Sequence, residues 1–171
     1  PVQGRHPGQS AASGLAYVLD GGATVPAERG IFLPTSRHLH PLIRAYVSDL
    51  VYESRLKSDG GAARQSLLLG RAKPPLAPAG LRFVPVAHSG NSQSSEEEGK
   101  ALADAYGCLI GQRFRDRDDN EKRMTEADIL VVTPYNAQVN LLKRVLPVGA
   151  RVGTVDKFQG QEAPACLVSM A

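Results

Sequence analysis

Three short apolar runs separated by one amphipathic stretch constrain the fold of this chain more than any other feature. Ile129–Val132, Arg151–Val155 and Ala165–Ser169 are four or five residues long and rich in aliphatic, often β-branched, side chains. That length and content suit a buried strand better than a helix. Between the first two, Gln138, Leu141, Leu142, Val145 and Leu146 fall on one helical face, and Pro147 and Gly149 end the helix. Upstream, Leu81–Ala87 reads as a further strand, with Pro85 suggesting an edge or a bulge. Ser94 and Ser95 then offer an N-cap, and Glu96, Glu97 and Glu98 complement the dipole of the helix they open. That helix carries Leu102, Ala105, Tyr106, Leu109 and Ile110 on one face. Strand, helix, strand, helix, strand implies right-handed crossovers and a parallel α/β sheet with helices on both faces. Ligands of such sheets gather beyond the carboxyl ends of the strands.

The first half of the chain is less regular. Ser10–Asp20 reads as a short helix ending at Gly21 and Gly22, and Gly30–Leu33 as a strand. From Pro41, a residue tolerated in the first helical turn, Ile43, Tyr46, Val47, Leu50 and Val51 form one face of an amphipathic helix. Residues 57–80 lack a period and contain Gly60, Gly61, Pro74, Pro75 and Pro78, so a flexible loop is expected there. Arg113–Glu126 reads as a charged connector. The 171 residues suit a single domain over 1–171, with enough apolar content for a core.

Formal charge is only +3, but it is unevenly spread. Residues 1–82 hold 10 Lys/Arg against 5 Asp/Glu, residues 83–128 hold 6 against 10, and residues 129–171 hold 4 against 2. Basic flanks around an acidic middle fit one polyanion-facing surface and one solvated outer helix, although an ordinary solvated surface fits as well. Cys108 and Cys166 lie far apart in apolar segments without zinc spacing, and are expected to pack as small hydrophobes in a reducing, cytoplasmic setting. No apolar run approaches the ~20 residues of a membrane span, so no membrane partner is expected. The acid run lacks partner ligands at metal spacing, and His6 and His88 read as surface or loop residues.

The turn between the last two strands is chemically dense. Gly153-Thr154-Val155-Asp156-Lys157-Phe158-Gln159-Gly160-Gln161-Glu162 sets Thr, Asp, Gln and Glu around one aromatic, more polar groups than a turn needs. Its order, T-V-D-x-F-Q-G-x-E, resembles motif V of the Upf-like branch of superfamily-1 helicases. Thr133-Pro134-Tyr135-Asn136-Ala137-Gln138, at the end of a strand, resembles the T-P-Y-x-x-Q element of that family. Arg37-His38-Leu39-His40-Pro41 and its trailing helix resemble the family's Y-R-M-H-P region, and Pro1–Pro7 resembles the end of the Q-L-P-x-V-x-x-G-x-H-P region.

The resemblance implies a RecA-like domain of the P-loop NTPase superfamily. It would be the second, C-terminal motor domain of a 5′-to-3′ helicase, incomplete before motif VI. ATP and Mg2+ would bind between it and an N-terminal RecA-like domain of the same protein, and single-stranded DNA or RNA would be the partner. Thr133 and Thr154 would donate to backbone phosphates and Tyr135 would stack on a base or ribose; turn hydroxyls, a capped helix start and a rim residue are the plain alternatives. Glu162 would accept ribose hydroxyls, or else form a surface ion pair, for instance with Lys157. Asp156, Gln159 and Gly160 belong to a loop coupling the two ligands, with Phe158 as its apolar anchor. Arg37 and His38 stand where the family has an adenine-stacking tyrosine and a phosphate-sensing arginine, and an imidazole lacks the permanent forked charge of arginine.

Neither a G-x-x-x-x-G-K-[ST] loop nor an acidic D-E pair occurs in the 171 residues, so the chain alone is expected to be inactive toward ATP. Two alternatives stay open: a degenerate domain that binds nucleic acid or protein without turnover, and the helicase half of a nuclease–helicase fusion.

Overall fold

The structure, a computed structural model, describes residues 13–22, 24–70 and 76–171. Pro1–Pro7, with its motif resemblance and His6, lies outside the described residues, as do Pro74 and Pro75. The chain divides into two compact units, one reaching Ala63 and the other running from Arg64 to Ala171.

In the first unit, helix α1 (Gly14–Leu19) is capped by Ser13, whose hydroxyl accepts the Ala16 N–H at 3.1 Å, and it stops at Asp20 in the left-handed region. Strand β1 (Thr35–Ser36), helix α2 (Pro41–Val51) and strand β2 (Lys57–Ser58) form a small parallel βαβ unit. The His40 Nδ1 caps α2 by accepting the Leu42 N–H at 3.2 Å. Gly30–Leu33 is not a strand; Ile31 is 91% exposed and Leu33 77%, and pairing begins only past Pro34. Helix α2 also turns a different side inward than the apolar pattern implied. Tyr46, Leu50 and Val51 are exposed, while Ser48 is fully buried. The returning chain docks on that serine: Ser48 Oγ accepts the Leu56 N–H, and its carbonyl accepts those of Tyr52 and Ser54.

The second unit holds two three-stranded sheets. Strands β3 (Ser66–Leu68), β4 (Arg113–Arg115) and β5 (Glu121–Arg123) are antiparallel in the order β3-β4-β5. Two corrections follow. Part of 57–80 is ordered as β2, a single 3-10 turn at Ala62–Arg64 and β3, and the charged connector is a β-hairpin. Glu121 explains the hairpin: it pairs across the strands with both Arg113 and Arg115. The Leu81–Ala87 strand does not form either; Pro85 has no N–H to donate, and Phe83 is 91% exposed.

The remaining elements carry the site. Helix α3 (Glu96–Leu109) begins at Ser95, whose hydroxyl accepts the Glu98 N–H at 3.1 Å, with the three glutamates in its first turn. Strand β6 (Ile129–Val132), helix α4 (Asn136–Val145), strand β7 (Arg151–Gly153) and strand β8 (Ala165–Val168) follow. The sheet is parallel in the order β7-β6-β8, and the mixed α/β architecture of parallel strands and helices is consistent with a RecA-like P-loop NTPase fold. Ile129, Val131 and Val152 point into one core with Leu102, Tyr106 and Leu109 of α3 and Val139, Leu142 and Leu146 of the α4 segment. The opposite side of the sheet, with Leu130, Val132 and Cys166, faces the turn after β7. Both cysteines are exposed, against the expectation that they pack inside; Cys108 is on the solvent side of α3 and Cys166 on this open side.

Candidate nucleic-acid interface

The dense turn leaves the carboxyl end of β7 at the edge of the parallel sheet. Thr154 is half-buried, and its carbonyl accepts the Lys157 N–H as the chain winds into a single 3-10 turn over Asp156–Phe158. Phe158 is buried, anchoring the turn as its apolar character implied. Gly160 adopts φ +78°, where a side chain is strained.

Two residues that the motif reading left without a role brace this turn. Arg151 donates to the Ala127 carbonyl and to Gln161 Oε1, both at 2.6 Å. Gln161 in turn donates to the Lys157 carbonyl at 3.1 Å. Lys157 folds back so that its ammonium donates to the Val152 carbonyl at 3.0 Å, and both cations lie over the Phe158 ring, 6.0 Å away for Arg151 and 5.5 Å for Lys157. An open cleft of about 510 Å³ lies beneath, lined by Val132, Val155, Asp156, Gln159 and Cys166 among others. Asp156, Gln159, Gly160 and Glu162 are exposed on the turn.

Thr133 behaves differently from Thr154. It continues the inward-facing series Ile129, Val131 and is fully buried, with its hydroxyl accepting the Tyr135 N–H at 3.4 Å. In this arrangement it is a turn hydroxyl just ahead of α4, one of the plain alternatives, and it does not line a groove with that of Thr154. Tyr135 is half-exposed at the N-cap of α4. Arg37 and His38 are exposed in the first unit, between β1 and α2.

Beside α4 lies a buried polar group that sequence reasoning missed. Gln138, fully buried, accepts the Ser95 N–H at 2.9 Å and donates to the Ser95 carbonyl at 3.1 Å and to Ser169 Oγ at 2.9 Å. Ser169 donates to Glu98 Oε2 at 2.6 Å, and the same oxygen accepts the Met170 and Ala171 N–H groups. Burial pushes the Glu98 carboxyl up, but the Ser169 hydroxyl and the two amides outweigh it and hold the group below its ordinary value. Placing a glutamine on an otherwise apolar helix face was the available signal.

A parallel sheet flanked by helices, with a braced polar turn at its carboxyl edge, is consistent with an α/β domain of the P-loop NTPase class. Within that class the chain belongs to the AAA domain family, a helicase-type family that residues 23–171 match. It is 43% identical over 53 residues to the DNA polymerase alpha-associated DNA helicase A of Schizosaccharomyces pombe, covering 29% of this chain and 8% of that protein. It is also 29% identical over 143 residues to the human 3'-5' exoribonuclease HELZ2, covering 80% of this chain and 5% of that protein. The chain thus spans less than a tenth of either relative. Among the described residues no helix is long and apolar enough to cross a membrane, and no three His, Cys, Asp or Glu side chains group as metal ligands.

Proposed function

We propose that this chain serves as the second RecA-like motor domain of an ATP-dependent helicase or translocase, holding a single nucleic-acid strand at Thr154 and Tyr135. The observation that carries this reading is the turn after β7: half-exposed Thr154 begins a segment fixed by Arg151, Gln161 and Phe158 at the carboxyl edge of the sheet. A hydroxyl on a rigid turn can meet a phosphate oxygen without first paying to order the loop, and Tyr135 offers a ring face that any base can stack on. The helicase named among the relatives supports the same reading.

The exposed Arg37 guanidinium and Glu162 carboxylate have the chemistry to meet a phosphate and a ribose, with His38 beside the former. ATP and Mg2+ also need a phosphate cradle and magnesium ligands, and these 171 residues contain neither the G-x-x-x-x-G-K-[ST] loop nor a D-E pair. Arg37 and Glu162, each taken by itself, supply neither the phosphate cradle nor the magnesium ligands that hydrolysis needs. Another domain of the protein would supply the cradle, and this chain alone would turn over no ATP.

Thr154→Ala and Tyr135→Ala in the full-length protein test the reading. Each should weaken single-strand binding regardless of base sequence while ATP affinity stays within about twofold; unchanged strand affinity in both overturns it. A second reading, a helicase joined to a nuclease, is favoured by the exoribonuclease name of the human relative. Nuclease activity of the full-length protein that survives Thr154→Ala would support it.

A further inference from the structure

The buried group around Gln138 is a closed ring. Ser95 and Glu98 share the first turn of α3 through the Ser95 hydroxyl; Ser95 meets Gln138, Gln138 meets Ser169, and Ser169 returns to Glu98. Ser95 and Ser169 are each 1% exposed and Gln138 not at all, so every polar atom there must find a protein partner. Gln138 and the Ser95 backbone donate to each other, and the Ser95 hydroxyl gives its own hydrogen to Glu97 Oε2 at 3.0 Å. Ser169 Oγ receives the Gln138 amide hydrogen and gives its own to Glu98, which fixes the Gln138 amide with its oxygen toward the Ser95 N–H. Glu98 Oε1 faces His88 Nε2 at 3.9 Å, leaving Oε2 to accept all three donors.

Three elements meet in this ring: the start of α3, the first turn of α4 and the segment leaving β8. Tyr135 is the N-cap of α4, three residues before Gln138, and its carbonyl accepts the Val139 N–H at 3.0 Å. The Thr133 hydroxyl holds Tyr135 from the other side only through a long 3.4 Å contact. The Gln138 anchor is the shorter and more buried of the two. We propose that Gln138, with Ser169 and Glu98 behind it, is a positioning residue for the single-strand contact: it fixes the first turn of α4 so that the Tyr135 ring is presented in one place. This role rests on the proposed strand-binding function of Tyr135.

A double-mutant cycle on single-strand affinity in the full-length protein, using a fluorescent homopolymeric oligonucleotide, tests it. Tyr135→Ala should weaken binding roughly fivefold or more, the loss that goes with one stacked base. Gln138→Leu should weaken it by a similar factor, and the double variant should bind no more weakly than Tyr135→Ala alone, because both act through one ring. The salt dependence of binding should not change, since no phosphate contact is removed. Glu98→Ala should lose affinity in the same direction, and Glu98→Gln should recover most of it by keeping a carbonyl acceptor for the three donors. If Gln138→Leu does not fold, as judged by its melting, Ser169→Ala takes its place with a smaller loss of the same kind. Full additivity of Gln138→Leu and Tyr135→Ala, or a Gln138 variant that binds like the wild type while Tyr135→Ala does not, overturns the positioning role alone. Wild-type affinity in Tyr135→Ala overturns the function assigned to Tyr135 and this role with it.

Discussion

Gly153 lies so close to Lys157 that a Cβ added to it would stand 2.5 Å from Lys157 Cδ, and 3.0 Å from Phe158 Cε2. The lysine cannot simply swing away, because its ammonium is tied to the Val152 carbonyl at 3.0 Å. Gly153→Ala should therefore break that bond or lift Phe158, at about 1–3 kcal/mol of stability, the usual cost of overpacking. Adding Lys157→Ala should return part of the loss. A thermal melt of Gly153→Ala coinciding with wild type would show that the close approach is not structural.

Arg151 ties the turn to the rest of the unit through Ala127 and Gln161. Removing it should cost about 1 kcal/mol, the ordinary net worth of such bonds, since the side chain stays partly in water. Gln161→Ala should give a smaller loss, and the pair together less than the sum, because they share one bond. Denaturant melts of the three variants measure this; strict additivity would mean the two residues do not act as one brace.

The parts of this fold that were legible share one property: their pattern comes from burial. Strand β6 and helices α3 and α4 show apolar spacing because Ile129, Val131, Tyr106 and Leu142 fill one core. The β4–β5 hairpin escaped notice because its pairing is carried by Arg113, Arg115 and Glu121, which read as a polar connector. Leu81–Ala87 shows the reverse error, apolar composition with no neighbouring strand to pair. At the candidate site, Phe158 and the turn itself were legible. The Arg151–Gln161 brace was not, because its members stand ten residues apart and meet only once the turn closes. Thr133 could have been placed by parity alone, since it follows the inward residues Ile129 and Val131 in steps of two.

The hairpin tip is held by Asp116. Its carboxylate meets the Lys122 ammonium at 2.8 Å and accepts the Asn120 and Asp118 N–H groups at 2.9 Å. The Lys122 contact first, then the Asn120 amide, lowers its pKa from 3.8 to about 2. A carboxyl whose folded pKa is depressed stabilises the fold above its unfolded pKa, and that contribution is lost as pH falls from about 3.8 through about 2. A carbon-13 titration of the Asp116 carboxyl should show a midpoint near 2, moving upward in Lys122→Ala. A midpoint at the ordinary aspartate value in the wild type would mean that the tip does not form.

The two threonines at the strand ends separate stability from binding. Thr133 is fully buried with its hydroxyl on the Tyr135 N–H, whereas Thr154 is half-buried where the braced turn begins. Thr133→Val keeps the shape and removes the acceptor, so it should cost about 1 kcal/mol of stability. It should leave the salt dependence of strand binding as it was, because no phosphate contact goes with it. Thr154→Ala should do the opposite, lowering single-strand affinity across all sequences alike while the melting temperature moves little. Melting curves and oligonucleotide titrations on both variants of the full-length protein decide the matter. A Thr133→Val protein that melts like wild type but binds strands poorly would reverse the assignment and place the phosphate contact at β6 instead of β7.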